Sequence, residues 1–131
     1  MLCFIPKETH GETRVPVLPP IVEKFAATGI TVRVESGLGH PLHINDEEYV
    51  RAGAETVDDR LGALGSSDLV MRLGKPPREE CGALKRGSIH ISHLDPFREH
   101  VLVGFLATAG VSAISIEMLP RTTVAQKMDA L

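Results

Sequence analysis

The chain has 131 residues, enough for one domain of ordinary size. Charged residues make up 24% of it, and 14 lysines and arginines against 17 aspartates and glutamates leave a formal net charge of -3. This balance excludes the strongly basic surface on which nucleic-acid-binding proteins depend. We therefore expect a single globular domain that does not bind nucleic acid.

Apolar runs and cysteines restrict the compartment. No apolar run approaches the roughly 20 residues that a membrane-spanning helix needs, so we expect no direct membrane insertion. Cys3 and Cys81 lie far apart in apolar surroundings, which predicts no disulfide framework and favours a reducing compartment. We expect the chain to be cytoplasmic.

Five short runs rich in β-branched residues predict strands. They are Leu2–Ile5, Ile30–Val34, Leu69–Leu73, Ser88–Ile91 and Ser112–Ile116. The gaps between them suit crossover connections and are too long for a series of hairpins. We therefore expect a mostly parallel sheet of five strands.

The intervening segments predict helices. Helices are expected over 19–28, near 47–50, and over 58–64, 78–85 and 96–108, and a last one begins near Thr122. In the helix over 96–108, four apolar residues at helical spacing predict the inward face: Val101, Leu102, Phe105 and Leu106. Strands alternating with helices indicate an α/β fold, a flavodoxin-like or Rossmann-like three-layer sandwich.

Several common catalytic motifs are missing from the sequence. Gly37 and Gly39 follow the second predicted strand, but Leu42 fills the third glycine position of the dinucleotide fingerprint and no helix follows directly. The six histidines show no zinc-ligand spacing, so we expect no metal site. Glu80 next to Cys81 disfavours a thiolate nucleophile.

Two polar segments follow predicted strands, where open α/β sheets bind ligands. The segment at 6–15 follows the first strand and includes Lys7, Glu8, Glu12 and Arg14. The segment at 120–129 follows the fifth strand and supplies a cation, an amide and a carboxylate: Arg121, Gln126 and Asp129. From the residues alone, an ordinary charged surface remains the alternative for each segment.

Five motifs in a fixed order resemble those of one family. They are 6–15 (PKETHGETRV), 34–39 (VESGLG), 52–54 (AGA), 94–96 (LDP) and 120–131 (PRTTVAQKMDAL). Through them the whole chain resembles the N-terminal part of the alanine dehydrogenase/pyridine nucleotide transhydrogenase family. Within that family it is most similar to NAD(P) transhydrogenase alpha subunits.

The similarity to alanine dehydrogenases is weaker at two positions. Those enzymes carry a substrate-binding lysine where this chain has Gly74, and a catalytic histidine where it has Asp95. An alanine- or opine-type dehydrogenase domain is therefore a disfavoured alternative. A non-catalytic interaction domain with a relic site is the alternative outside catalysis.

The resemblance implies a component of an enzyme that transfers hydride between NAD(H) and NADP(H), coupled to proton translocation in the full complex. NAD(H) is then the cofactor, with NADP(H) held by a partner component. The implied partners are the NADP-binding and membrane components, through which the chain is peripheral to the inner membrane. No metal is implied.

The resemblance also assigns site residues. Arg121 and Asp129 are the implied catalytic residues, and Arg121, Gln126 and Asp129 the implied contacts to the nicotinamide. Arg14 is a secondary cofactor-binding residue.

The expected domain covers residues 1–131 and is truncated at its C-terminus, because the family's glycine-rich Rossmann domain follows the point where this sequence stops. We expect the isolated chain to be inactive, with negligible affinity for NAD(H), and to form a homodimer.

Overall fold

The computed structural model describes residues 1–8, 11–94 and 99–116. Within these ranges six strands form one sheet: β1 (Leu2–Ile5), β2 (Thr31–Glu35), β3 (Glu55–Val57), β4 (Leu69–Met71), β5 (Ile89–Ser92) and β6 (Ser112–Ser115). Their order is β3-β2-β1-β4-β5-β6, and each neighbouring pair is parallel. All strands therefore end on the same side of the sheet, here called its carboxyl end, and begin at its amino end.

The strand order reverses between β1 and β4. From β1 the chain builds outward through β2 to β3, and it then returns to pair β4 with the other side of β1. Loops that follow strands on either side of such a reversal diverge and leave a crevice at the carboxyl end. Open α/β sheets bind their ligands in that crevice.

Five helices connect the strands within the described residues: α1 (Pro19–Ala27), α2 (Asp46–Arg51), α3 (Arg60–Ser66), α4 (Arg78–Cys81) and α5 (His100–Thr108). Prolines begin α1, where the missing N–H leaves no intrahelical bond unmade. The side chains of Asn45 and Asp59 cap α2 and α3 by accepting hydrogen bonds from backbone N–H groups.

The core lies in two layers, one on each face of the sheet. On one face, Val32 and Val34 of β2 pack with Val22 of α1 and Tyr49 of α2. On the other face, Phe4 and Val70 pack with residues of α3, α4 and α5, namely Leu64, Cys81, Leu102 and Leu106. Two helical layers around a parallel sheet confirm the predicted three-layer α/β class.

The third strand is the main addition to the predicted sheet. The five predicted strands are all present, and without β3 their order β2-β1-β4-β5-β6 is the flavodoxin-like one. β3 adds an outer strand and gives the doubly wound order with six strands. The sequence does not predict it because two of its three residues, Glu55 and Thr56, are exposed polar residues that form no apolar run.

The predicted inward face of α5 is half wrong. Leu102 and Leu106 are buried, whereas Val101 is 57% and Phe105 47% exposed. Leu102 and Leu106 are four residues apart and form the inward stripe, while Val101 and Phe105 each precede them by one residue and are turned about 100° away. The Arg78 guanidinium lies 5.8 Å from the Phe105 ring centroid, so the exposed ring contacts a cation rather than the core.

The cysteines and the membrane prediction can also be compared with the structure. Cys3 and Cys81 are both buried and unbonded; burial raises the pKa of Cys3 to about 12 and also raises the pKa of Cys81. Both therefore stay protonated and serve as packing groups. Across the described ranges, every helix is too short or too polar to cross a bilayer. The predicted helix near Thr122 lies outside the described residues.

Candidate functional site at the carboxyl end of the sheet

Glu8 bridges the two loops that flank the reversal of strand order. Its Oε2 accepts a hydrogen bond from the Leu73 N–H at 2.7 Å, and its Oε1 accepts one from the Gly74 N–H at 2.9 Å. A side chain at position 74 would begin 3.3 Å from Glu8 Oε1, which is a tight contact. Glu8 thus ties the loop after β1 to the loop after β4, and both its oxygens are occupied.

Lys7 is held by its main chain. Its N–H donates to Glu35 Oε1 at 2.8 Å, and its carbonyl accepts from Arg60 Nη1 at 3.1 Å. The Lys7 side chain runs beside Gly37, where a Cβ would lie 3.6 Å from Lys7 Cδ. Gly37 has a φ of +85°, which favours glycine at this turn after β2.

Arg14 forms a two-pronged ion pair with Glu12. Nε and Nη2 of Arg14 each lie 3.0 Å from one carboxylate oxygen of Glu12. The hydrogen bond from the Arg14 side chain is the main reason that the pKa of Glu12 falls to about 2. Because this pair is largely exposed, it fixes the direction of the guanidinium but contributes little to stability.

A cavity of about 310 Å³ lies between the loops after β1 and β2. Its lining residues are Lys7, Glu8, Glu12, Arg14, Gly37, Leu38, His40 and Pro41. This volume is at the lower end of small-ligand sites and too small for a whole dinucleotide. The cavity carries charges of both signs, so it can contact a polar group of a larger ligand.

Four charged residues lie beneath this cavity and form what we call the charge cluster: Glu35, Arg60, Arg72 and Glu80. Arg60 Nε lies 2.7 Å from Glu80 Oε1, and Arg60 Nη1 lies 2.6 Å from Glu35 Oε1. Burial lowers the pKa of Arg60, but hydrogen bonds and charge from Glu80 and Glu35 outweigh it and the pKa is raised. Arg60 therefore stays charged.

Arg72 is the least satisfied member of the charge cluster. It is 1% exposed, and its nearest opposite charge is Glu80, at 3.8 Å from Nη1. Nε and Nη2 of Arg72 have no hydrogen-bond partner among the described residues. Burial lowers the pKa of Arg72, and the charge of Glu80 opposes this only in part.

His90 lies on the same face of the sheet as Arg72, one strand away on β5. Its Nε2 is 3.1 Å from Ser92 Oγ. Burial, with the nearby charge of Arg72, lowers the pKa of His90 to about 3. The ring is therefore neutral near pH 7.

Comparison with known proteins decides the family. The model of the alanine dehydrogenase/PNT N-terminal domain matches residues 4–131. The chain belongs to this family. The predicted family is thus confirmed.

Relatives from both branches of the family are similar to the chain. An NAD(P) transhydrogenase alpha subunit of Rhodospirillum rubrum is 33% identical over 100% of this chain and 36% of its own length. Alanine dehydrogenase of Methanococcus maripaludis is 32% identical over 89% of this chain and 32% of its own. The crystal structure of a transhydrogenase from Sinorhizobium meliloti superposes with a TM-score of 0.89 at 31% identity, over 98% of this chain and 39% of that one. The chain spans about a third of the length of these relatives.

The site residues implied by the family resemblance are only partly within the described structure. Arg14 lies in the cavity at the carboxyl end, as expected for a cleft residue. Arg121, Gln126 and Asp129 lie outside the described residues, so their roles stay predictions. Within the described ranges, no group of three His, Cys, Asp or Glu side chains could hold a metal ion.

Sequence reasoning misses the charge cluster. Arg72 gives a usable signal, because a cation within the apolar run 69–73 must find a counter-charge when the strand is buried. Arg60 gives none, since Glu35 and Glu80 lie 25 and 20 residues away in the sequence. Only the fold brings these three residues together.

Proposed function

We propose that this chain is the portion of an NAD(P) transhydrogenase alpha subunit that forms one wall of its nucleotide cleft. The observation that carries the proposal is the placement of Arg14 and its cavity at the carboxyl end, beside the reversal of strand order. The similarity to the Rhodospirillum rubrum alpha subunit over the whole chain supports it.

The transhydrogenase assignment is also favoured by what position 74 lacks. Gly74 offers only its backbone N–H, and this is bonded to Glu8. The substrate lysine that the resemblance gives to alanine dehydrogenases is therefore absent. Hydride exchange between two nicotinamides requires positioning of the rings rather than an acid or a base, so the exchange does not need that lysine.

Each proposed site residue has its own role. Arg121 and Asp129 touch the reacting nicotinamide and are the proposed catalytic residues, with Gln126 as a further contact. Arg14 binds a polar group of NAD(H) from the cavity, and its guanidinium is already directed by Glu12. NAD(H), when bound, supplies or accepts the hydride, while NADP(H) lies on a partner component.

The site needs polypeptide beyond these residues. The cavity is too small for a dinucleotide, and the relatives are about three times as long as this chain. We propose that residues 1–131 are a truncated cleft-forming domain, and that a glycine-rich Rossmann domain forms the other wall. The isolated chain is then inactive, and calorimetric titration with NADH should detect no micromolar binding.

We further propose the partners of the complete protein. It acts with an NADP-binding component and a membrane component that couples hydride transfer to proton translocation. It is a homodimer, located in the cytoplasm at the inner membrane through these partners. Co-purification of the complete subunit with a membrane component tests the assembly, and sedimentation tests the dimer.

The test of the function is Arg121→Ala in the complete enzyme. We expect NADPH-dependent reduction of an NAD⁺ analogue to slow at least tenfold, because ring orientation is lost, while NAD(H) affinity changes little. Arg51→Ala is the matched control, since Arg51 is an exposed arginine on α2 far from the carboxyl-end loops. An unchanged rate in Arg121→Ala would contradict the assignment.

A second candidate is an amino-acid dehydrogenase, favoured by the similarity to the Methanococcus maripaludis enzyme. Its signature is alanine-dependent NAD⁺ reduction by the complete protein without any NADP(H). A third candidate, a non-catalytic interaction domain with a relic site, predicts neither reaction. One assay with both substrate sets separates all three.

A further inference from the structure

We propose that Arg60 is a positioning residue of the cleft, which sets the path of the 6–15 loop and with it the placement of Lys7 and Arg14. Arg60 does not line the cavity; it acts through the peptide group of Lys7. This inference rests on the proposed function, because it assigns a role within that same site.

Arg60 connects four segments through its three side-chain nitrogens. It is the first residue of α3, and Nη1 donates to Lys7 O after β1 and to Glu35 Oε1 at the end of β2. Nε and Nη2 donate to both oxygens of Glu80 on α4, at 2.7 to 3.3 Å. These bonds make Arg60 the centre of a cross-link between strands and helices.

The contact with Lys7 is cooperative. Glu35 Oε1 accepts from both the Lys7 N–H and Arg60 Nη1, and the same Nη1 donates to the Lys7 carbonyl. Without the guanidinium, Glu35 loses its counter-charge and Lys7 O loses its donor. Both main-chain ends of Lys7 are therefore held only while Arg60 is in place.

The next residue is held separately. Glu8 is bonded to the backbone N–H groups of Leu73 and Gly74, so two consecutive residues are fixed from opposite sides of the reversal. Together these contacts set the direction in which the chain leaves β1. The Lys7 side chain beside Gly37 and the Arg14 guanidinium lie further along the same loop.

The geometry requires arginine rather than any cation. A guanidinium presents five donors in a planar fork, whereas an ammonium is a point charge with three donors. Lysine at position 60 would preserve the charge opposite Glu35 and Glu80 but could not bond both carboxylates and Lys7 O together. Arg60→Lys therefore separates loss of geometry from loss of charge.

A matched control exists at the amino end of the sheet. Asp68 accepts from the Leu2 N–H at 2.8 Å and from Lys85 Nζ at 2.8 Å, so it also ties the loop before one strand to the start of β1. This cross-link lies at the end of the sheet away from the 6–15 loop. Lys85→Met thus removes an ion pair without reaching the cavity.

The experiment compares wild type, Arg60→Met, Arg60→Lys and Lys85→Met in the complete enzyme, with kcat, KM for NADH and thermal midpoint measured for each. We expect Arg60→Met to raise KM about tenfold and Arg60→Lys about threefold, with smaller changes in kcat, because binding contacts are misplaced. Lys85→Met should leave KM unchanged. Unchanged KM in both Arg60 variants, or an equal rise in Lys85→Met, would overturn the inference.

Amide hydrogen exchange gives a readout that is independent of activity. Peptides containing Lys7 should exchange faster in Arg60→Met, and partly so in Arg60→Lys, but not in Lys85→Met. If wild type transfers no hydride, the proposed function is wrong and the exchange result alone decides the role of Arg60. Unchanged exchange at Lys7 would then reject it.

Discussion

The two ends of the parallel sheet are cross-linked in different ways. At the carboxyl end, buried or half-buried charges join the loops after β1, β2 and β4 through Glu8 and the charge cluster. At the amino end, the exposed pair Asp68–Lys85 joins the start of β1 to the loop before β5, with side chains 40% and 47% exposed.

The difference shows where the fold invests in geometry. Withdrawing charges from water is unfavourable, and it rarely adds net stability over an apolar core of the same shape. A buried arrangement of fixed donors and acceptors does set loop positions, as it does here for Lys7. The amino end, which has no such loop to position, uses an ion pair that solvent screens.

The largest expected effect comes from removing the shared carboxylate of the charge cluster. Glu80→Gln leaves Arg60 and Arg72 without their common counter-charge in a buried setting, and we expect a loss of about 4 kcal/mol in unfolding free energy. Denaturant unfolding of the complete subunit measures it. Asp68→Asn, at the amino end, should lose far less because solvent screens its ion pair. Equal losses would remove the distinction between the two ends.

The second prediction concerns His90 and extends the comparison into the strands. Its pKa is about 3 when folded, against about 6.5 in the unfolded chain, so only the unfolded state takes up its proton between these values. Stability therefore falls as the pH drops from about 6.5 to 3, by about 3 kcal/mol from this group. In His90→Leu that component of the pH dependence should vanish. Parallel stability curves for the two proteins would show that His90 is not protected from protonation.

The third prediction concerns Glu8. Gln at this position keeps one acceptor oxygen, so one of the two N–H groups at Leu73 and Gly74 loses its partner and the other loses a charged acceptor. We expect Glu8→Gln to lower stability by about 1–2 kcal/mol and to speed exchange at these two amides. Exchange that stays at the wild-type rate would mean that the bridge does not hold the loops.

The smallest effect is expected at the amino end. Lys85→Met should leave the denaturant midpoint close to that of wild type, because both partners of the Asp68–Lys85 pair are exposed. The Lys85 hydrogen bond lowers the pKa of Asp68, and this shift should shrink in the variant. A loss of stability as large as that of Glu80→Gln would contradict the account of the two ends.

The sequence predicts the elements whose signal is local. β1, β2, β4, β5 and β6 are apolar runs, and α1 carries its prolines at the start, so each is recognisable within a few residues. β3 is not, because it pairs with β2 through its backbone while Glu55 and Thr56 face solvent. The inward face of α5 depends on which neighbours cover it, and the sequence does not state that.

The candidate site divides along the same line. Arg14 and Lys7 could be expected at a ligand-binding edge because they follow a predicted strand. The bonds of Arg60 to Glu35 and Glu80 could not, because they join segments that only the crossovers bring together. Charge clusters of this kind follow from topology, and periodicity does not reveal them.

The most direct test of the central claim is hydrogen exchange of the complete alpha subunit with and without NADH. If the loops at the carboxyl end form a wall of the nucleotide cleft, NADH should slow exchange in peptides that contain Lys7, Arg14 and Gly37. Peptides that contain Lys85 and Gly87, at the amino end, should exchange at the same rate in both states. Protection confined to the amino-end peptides, or none at Lys7 and Arg14 while NADH is bound, would contradict the account.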